Sequence, residues 1–389
     1  MNIRNHKTPA AVPEAIVGGL PVWKLLAFTM AGFLAIMTET MPAGLLPQIS
    51  QGLGVSEALA GQLVTLYALG SVLAAIPIIA ATRSWNRRPL LLLAIGGLLI
   101  FNSVTALSAH YGLILVARFV AGMAAGVIWG LLAGYARRMV PHRQQGRALA
   151  VAGVGQPIAL AIGVPLGTWL GTLFDWRGVF WIMSALSLLL FVWVRLAVPD
   201  FAGQSARQRV PIRRIFLMPG IRPILLALFV WILAHNILYT YIAPLLEPAG
   251  IQADIDRVLL VFGLTALLSI WLVGLLIDRW LRPLVLFSCM LFGLSALALA
   301  FWIDSPAIIY IAVAAWGLAF GGLPALLQTA LAKSAGESAD AAQSMLVTVW
   351  NLGIAGGGLA GGLLLQSWGV LAFPWAVVAL MLLALCKRP

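Results

Sequence analysis

The sequence predicts an all-α membrane protein, with twelve transmembrane helices in two pseudo-symmetric six-helix bundles. Three observations lead there. Apolar runs of membrane-spanning length recur from end to end, basic residues gather in every second break between them, and one half of the chain echoes the other.

The apolar runs come first because they define the solvent. Hydrophobic residues make up 62% of 389 positions and charged residues only 9%, with a mean hydropathy of +1.02. Soluble domains carry about a quarter charged residues. A spanning helix needs roughly 20 mostly apolar residues, and twelve such runs are expected at 23–47, 57–81, 89–109, 112–136, 145–171, 178–198, 223–247, 256–277, 284–303, 306–332, 340–366 and 369–386. Residues 1–21 hold Arg4, Lys7, Pro9, Pro13 and Glu14 but no apolar core of the kind a signal peptide needs.

Charge placement tests that count. Of the 24 lysines and arginines, all but Arg118, Arg177 and Arg257 lie at the two ends or in even-numbered breaks. Odd-numbered breaks carry Glu57, Asp175, Glu247, Asp254, Asp256 and Asp304 instead. A missed or invented span would destroy this alternation, so both termini are expected in the cytoplasm of a bacterial inner membrane. The net charge of +12 is thereby explained as topology and not as a phosphate-binding face, and nucleic acid is excluded as a partner. The longest polar segment follows the sixth run and holds five arginines, which predicts a short basic cytoplasmic linker attracted to anionic lipid headgroups. The expected organisation is an N-terminal bundle over 1–198, a linker over 199–222 and a C-terminal bundle over 223–389.

The repeat is the third observation. Arg88-Pro89-Leu90 after the second run is matched by Arg282-Pro283-Leu284 after the eighth, half a chain away. Duplicated halves with a site between them near the bilayer midplane are a common plan for secondary transporters. Cys289 and Cys386 suggest neither a disulfide nor a metal framework. Phosphate-binding Gly-Lys-Ser/Thr loops, His-Glu-x-x-His zinc helices and Gly-x-Ser-x-Gly elbows are missing from the sequence, and its histidines at 6, 110, 142 and 235 are scattered. An enzyme, a metal site and a bound cofactor are therefore not expected.

Longer motifs carry a family resemblance over essentially the whole chain. Gly274-Leu275-Leu276-Ile277-Asp278-Arg279-Trp280-Leu281-Arg282 resembles the signature loop of the major facilitator superfamily, with Leu281 in place of a glycine. The corresponding first-half loop, Ala81 to Arg88, keeps the basic residues but has no aspartate. Arg118, Gly122, Gly126 and Gly130, four residues apart, are similar to a second family motif, and Gly163-Val164-Pro165-Leu166-Gly167 resembles the glycine-proline motif of antiporters. Thr38-Glu39, Pro42 to Leu46, Trp176-Arg177, Tyr239 to Pro244 and Asn351-Leu352-Gly353 are similar to the drug:proton antiporter branch that includes sugar-efflux, arabinose-efflux-like and purine-nucleoside-efflux proteins. This resemblance implies alternating access and proton-coupled efflux of a small solute such as a sugar, nucleoside or drug. Proton-coupled import of a small polar solute is the alternative. The partners implied are the solute, protons and membrane lipid, with the chain acting as a monomer.

Against that background a few residues stand out. Glu39 is the one acid well inside an apolar run, where a charge costs at least ~2.5 kcal/mol and usually marks a proton or substrate path. Arg118 should sit at nearly the same depth on the fourth helix, so burial and the neighbouring cation would pull the protonation of Glu39 in opposite directions as access alternates. The pair is expected to serve proton coupling, or else to be a permanent ion pair holding two helices together. His235 and Tyr239, four apart, share a helix face with Asn236 beside them. Together with Trp129, Gln156, Gln328 and Asn351 they are candidate substrate contacts, weighed against simple interhelical bonding. Arg83, Arg87, Arg88, Arg279 and Arg282 are expected to close the cytoplasmic side, with Asp278 as their acidic partner. The glycines of the eleventh run should serve close packing, and Pro157 and Pro165 should bend the fifth.

Overall fold

A computed structural model describes residues 19–75, 78, 81–82, 84–203, 216–336 and 339–386. Among them every regular element is helical, as an apolar solvent requires, since only a helix satisfies its own backbone along its length.

Span 1 is Val22–Gly44, span 2 begins as Glu57–Ala75, span 3 is Arg87–Leu107 and span 4 is Tyr111–Arg138. Spans 5 and 6 run together over Gln145–Ala197 and are separated by one non-helical residue, Asp175 (φ 60°), whose carboxylate accepts a bond from the Trp176 backbone N–H at 2.7 Å. Span 7 is Ile221–Thr240. Spans 8 and 9 form one continuous stretch, Ile255–Trp302, broken only at Trp280 (φ −124°, ψ 25°) just before Pro283. Pro306–Ala335 gives span 10, Ala339–Trp368 span 11 and Ala372–Cys386 span 12.

All twelve expected spans are present among the described residues, with two local differences. The breaks after spans 5 and 8 are kinks and not loops, so the signature segment from Gly274 to Arg282 is largely helical. Spans 1 and 7 are each followed at once by a short helix, Leu46–Leu53 and Ile242–Leu246, where the expected runs continued unbroken. Pro157 and Pro165 flank a π-turn, Ala159–Gly163; the Pro165 ring removes a backbone donor, and the wider turn accommodates the loss.

Glycines decide how closely the spans approach. A Cβ at Gly122 would strike the Tyr67 backbone, and one at Gly70 would strike Phe119, so spans 2 and 4 meet backbone to backbone. Their counterparts behave alike: Gly321 lies on Ala266 and Gly317 on Phe262, joining spans 8 and 10. On span 11, Gly353, Gly357 and Gly361 receive span 7 of the same half, while Gly358 and Gly362 receive span 2 of the other half. Span 5 meets span 8 at a second seam, where Gly263 rests on Ala161 in the π-turn. Small residues are what membrane helices use for such approaches, because lipid provides no hydrophobic drive between them.

Candidate substrate and proton site

The tight approach of spans 2 and 4 determines the setting of Arg118. Its side chain is fully buried (0% exposed) and points at carbonyls, not at a carboxylate. Nη2 donates to Thr38 O at 2.5 Å and more weakly to Glu39 O at 3.4 Å, while Nε donates to Leu63 O at 3.3 Å. Its guanidinium carbon lies 4.7 Å from the Tyr67 ring centroid and 5.7 Å from that of Phe180. Tyr67 is itself anchored by its hydroxyl to Ala35 O at 2.8 Å. Asn102, buried on span 3, donates to Thr38 Oγ1 at 3.0 Å. One cation thus ties spans 1, 2 and 4 through backbone oxygens and rings.

Glu39 is buried on span 1 at 5% exposure, next to the carbonyls that hold Arg118. Glu39 and Arg118 come together as expected. They form no ion pair with each other, however, unlike Arg257 and Asp254, which pair at an exposed helix start.

The second half places rings where the first places charge. His235, on span 7, lies 4.0 Å from Phe320 in a stacked arrangement, with Tyr239, Trp316 and Phe262 at 5.1, 5.2 and 5.7 Å. Trp316 Nε1–H donates to His235 Nδ1 at 3.1 Å, which puts the imidazole proton of the neutral ring on Nε2. Tyr239 is buried with a hydroxyl that has no partner. The predicted pair His235 and Tyr239 therefore shares one aromatic nest.

Other expected residues are more dispersed. Asn236 turns towards Gly357 of span 11 and bonds its own helix at Ile232 O (3.0 Å), as Asn351 does at Val347 O (2.9 Å). Trp129 packs its ring beside Gly32 of span 1, Gln156 is half-buried and Gln328 is exposed. On the basic side, Arg83 lies outside the described residues. Arg87 is buried and its backbone N–H donates to Phe201 O at 2.9 Å. Asp278, Arg279 and Arg282 are exposed, and among the described residues none of them forms an ion pair.

Several contacts escaped the sequence reading. Asp200, at the start of the linker, accepts from Asn86 Nδ2 (2.8 Å) and from the Arg88 backbone N–H (3.0 Å), so an acid does serve the first-half loop, supplied from outside it. The charge gap in that loop was the available clue. Tyr67 and Phe320 carry no comparable signal, since an aromatic residue in an apolar run looks like any core residue.

Known proteins resemble this chain over most of its length. Relatives include a protein named transcription regulatory protein OpdE from Pseudomonas aeruginosa, 30% identical over 366 residues and covering 92% of this chain and 91% of that one. Another is named purine ribonucleoside efflux pump NepI, from Escherichia coli, 31% identical over 355 residues, 90% of this chain and 89% of the relative. The crystal structure of the nucleoside transporter NupG superposes with a TM-score of 0.75 over 94% of this chain and all of that one; at 14% identity it attests the fold alone. The family model described as Major Facilitator Superfamily matches residues 28–349, and on that match the chain belongs to the Major Facilitator Superfamily of secondary transporters.

Proposed function

We propose that this transporter exports a small polar solute of the purine-nucleoside type in exchange for protons. The observation that carries the coupling is Glu39, a carboxyl buried in a spanning helix beside a guanidinium that is held by carbonyls and leaves the acid unpaired. A permanent ion pair would keep Glu39 charged; without one, Glu39 can take up and release a proton as water reaches it from alternating sides. The nucleoside reading is supported by the named activity of the NepI relatives and by the ring-lined second half, since a base offers a π-face and polar edges.

In this reading the halves 1–198 and 223–389 rock about a shared site, with 199–222 as the tether. Arg83, Arg87, Arg88, Arg279, Arg282, Asp278 and Asp200 belong to the cytoplasmic side, and closing that side would draw the exposed members together. Arg118 sets the field at Glu39, while His235, Tyr239, Trp129, Gln156, Asn236, Gln328 and Asn351 offer solute contacts.

Proteoliposomes test it. An imposed proton gradient should drive accumulation of a labelled purine nucleoside by the native protein. Glu39→Gln should lose gradient-driven accumulation yet keep solute-for-solute exchange. Accumulation that survives in Glu39→Gln would remove Glu39 as the carrier, and flux indifferent to both pH gradient and voltage would remove the coupling altogether.

A further inference from the structure

At the end of the bundle that the charge pattern places outside, one side chain crosses between the halves. The Tyr241 hydroxyl, from the end of span 7, lies 2.8 Å from Gly358 O on span 11 and 3.3 Å from Ala58 O on span 2. Gln62 of span 2 donates to the same hydroxyl at 3.2 Å, to Ala58 O at 3.1 Å and to Gly358 O at 3.4 Å. The ring sits in a slot of glycines. A Cβ on Gly61 would fall 2.5 Å from the ring edge, and one on Gly361 or Gly362 would come within 2.6 or 2.7 Å of the Tyr241 side chain. Directly above lies a groove of about 410 Å³, lined by Glu57 and Ala58 of span 2, Pro244 and Glu247 beyond span 7, Gln366 near the end of span 11 and Val370 just after it.

We infer that Tyr241 is the bolt of the outer gate: its ring and hydroxyl, received by Gly61, Gln62, Gly358 and Gly361, hold spans 2, 7 and 11 shut on the outer side, and the groove above is the closed mouth of the pathway. Spans 2 and 11 belong to opposite halves, so rocking the halves apart must withdraw the bolt. The slot needs glycine on both walls, and Gln62 bridges the hydroxyl and both carbonyls. A bolt is favourable only if it can be drawn, and a few neutral hydrogen bonds over a smooth glycine surface are weak enough to break on each cycle. The inference rests on the alternating-access part of the proposed function and on no assumption about proton or solute.

Thr65, buried one turn below Gln62 against Gly358, reports on the gate. With Cys289 and Cys386 replaced, Thr65→Cys should react slowly with a membrane-impermeant maleimide added outside intact cells. Tyr241→Phe keeps the ring and removes the bonds, and should raise the labelling rate about five- to tenfold, as loss of one or two net hydrogen bonds from the closed state predicts. Gly61→Ala, which fills the slot, should raise it at least as much; size-exclusion chromatography checks that each variant is folded. Labelling of folded Tyr241→Phe at the unmodified rate would overturn the inference. So would fast labelling before the bolt is touched, or an increase seen only in inverted vesicles. Because the assay needs neither gradient nor solute, a chain that fails the flux test can still pass this one, and the two readings fail separately.

Discussion

The two halves use the same backbone device to hold opposite chemistry. In each, a glycine on the fourth helix brings it against the second, Gly122 on Tyr67 and Gly321 on Ala266. In the first half the residue one turn earlier is Arg118, a buried cation held by three carbonyls and a ring. In the second half the corresponding stretch supplies Trp316, which donates to a neutral His235 among rings. The buried cation thus sits in one bundle, and the ring nest around a neutral histidine in the other. For the proton-for-solute exchange proposed above, that division keeps the buried cation away from the rings, where it would bias a solute site against positively charged guests. The contrast also says where damage should be structural and where it should be functional.

The largest effect is expected at Arg118. Arg118→Met leaves the Thr38 carbonyl, whose helical donor position is Pro42, without a partner in a buried site, a loss of about 1 to 3 kcal/mol, and it also removes the tie among spans 1, 2 and 4. Detergent-solubilised protein should show a sharply lowered Tm and no gradient-driven transport. Arg118→Lys retains the charge but not the planar fork, so it should recover part of the stability and little of the transport. Full activity in Arg118→Lys would show that a point charge suffices and that the carbonyl geometry is incidental.

Next come the glycines. Gly122→Ala and Gly321→Ala each drive a methyl into backbone, not into a flexible side chain, and overpacking of that kind costs about 1 to 3 kcal/mol. If the halves are equivalent scaffolds, the two Tm losses should match within experimental error. Transport should differ, however: Gly122→Ala also displaces Tyr67 and hence Arg118, so it should impair proton-driven flux more than solute exchange. Equal loss of both in the two variants would undo the division of labour.

How much of this was legible in the sequence depends on what kind of partner each residue has. The spans were legible because lipid imposes length and apolarity on every one of them, and Glu39 was legible because an acid in such a run is costly and must have either a functional or a pairing role. The Arg118 arrangement was legible only as a matter of depth. Its acceptors are the backbone oxygens of Thr38, Glu39 and Leu63, which any residue type would provide; the one clue is Pro42, which has no N–H to offer the Thr38 carbonyl. The nest around His235 was hidden for a related reason: Phe262, Trp316 and Phe320 suit a membrane core equally well wherever they face, and only the packing of spans 8 and 10 against span 7 turns them inward. Tyr241 and its slot were half legible. Glycines at 358, 361 and 362 signalled close approach, but the facing Gly61 and the ring that enters between them were revealed only by the packing of the short helix that follows span 7. Asp200 was not legible because it lies outside the repeat, at the start of the linker that follows span 6.

Smaller effects sharpen the comparison in the second half. His235→Phe keeps an aromatic ring in the stack and deprives Trp316 of its acceptor, at a cost of about 1 kcal/mol. If charge resides in the first bundle alone, this variant should retain proton-driven accumulation while the KM for nucleoside rises. Loss of coupling with KM unchanged would instead place His235 on the proton path.

The smallest stability effect is expected at Tyr239, and it is the most diagnostic. Its hydroxyl is buried without a partner, an arrangement that costs about 1 to 3 kcal/mol wherever it occurs. A purely structural tyrosine would gain from losing that oxygen, so Tyr239→Phe should leave the Tm unchanged or raise it slightly. The oxygen has a use only if something arrives to bond it, and in a nest of rings that something is a polar edge of the solute. Tyr239→Phe should therefore be a stable, well-folded protein whose solute affinity falls about five- to tenfold, as for one lost hydrogen bond to a bound guest. Competition binding on the purified variant measures that directly. Unchanged affinity with unchanged stability would mean that the second half presents its rings alone, and that polar recognition has to be sought across the cleft, near Glu39 and Trp129.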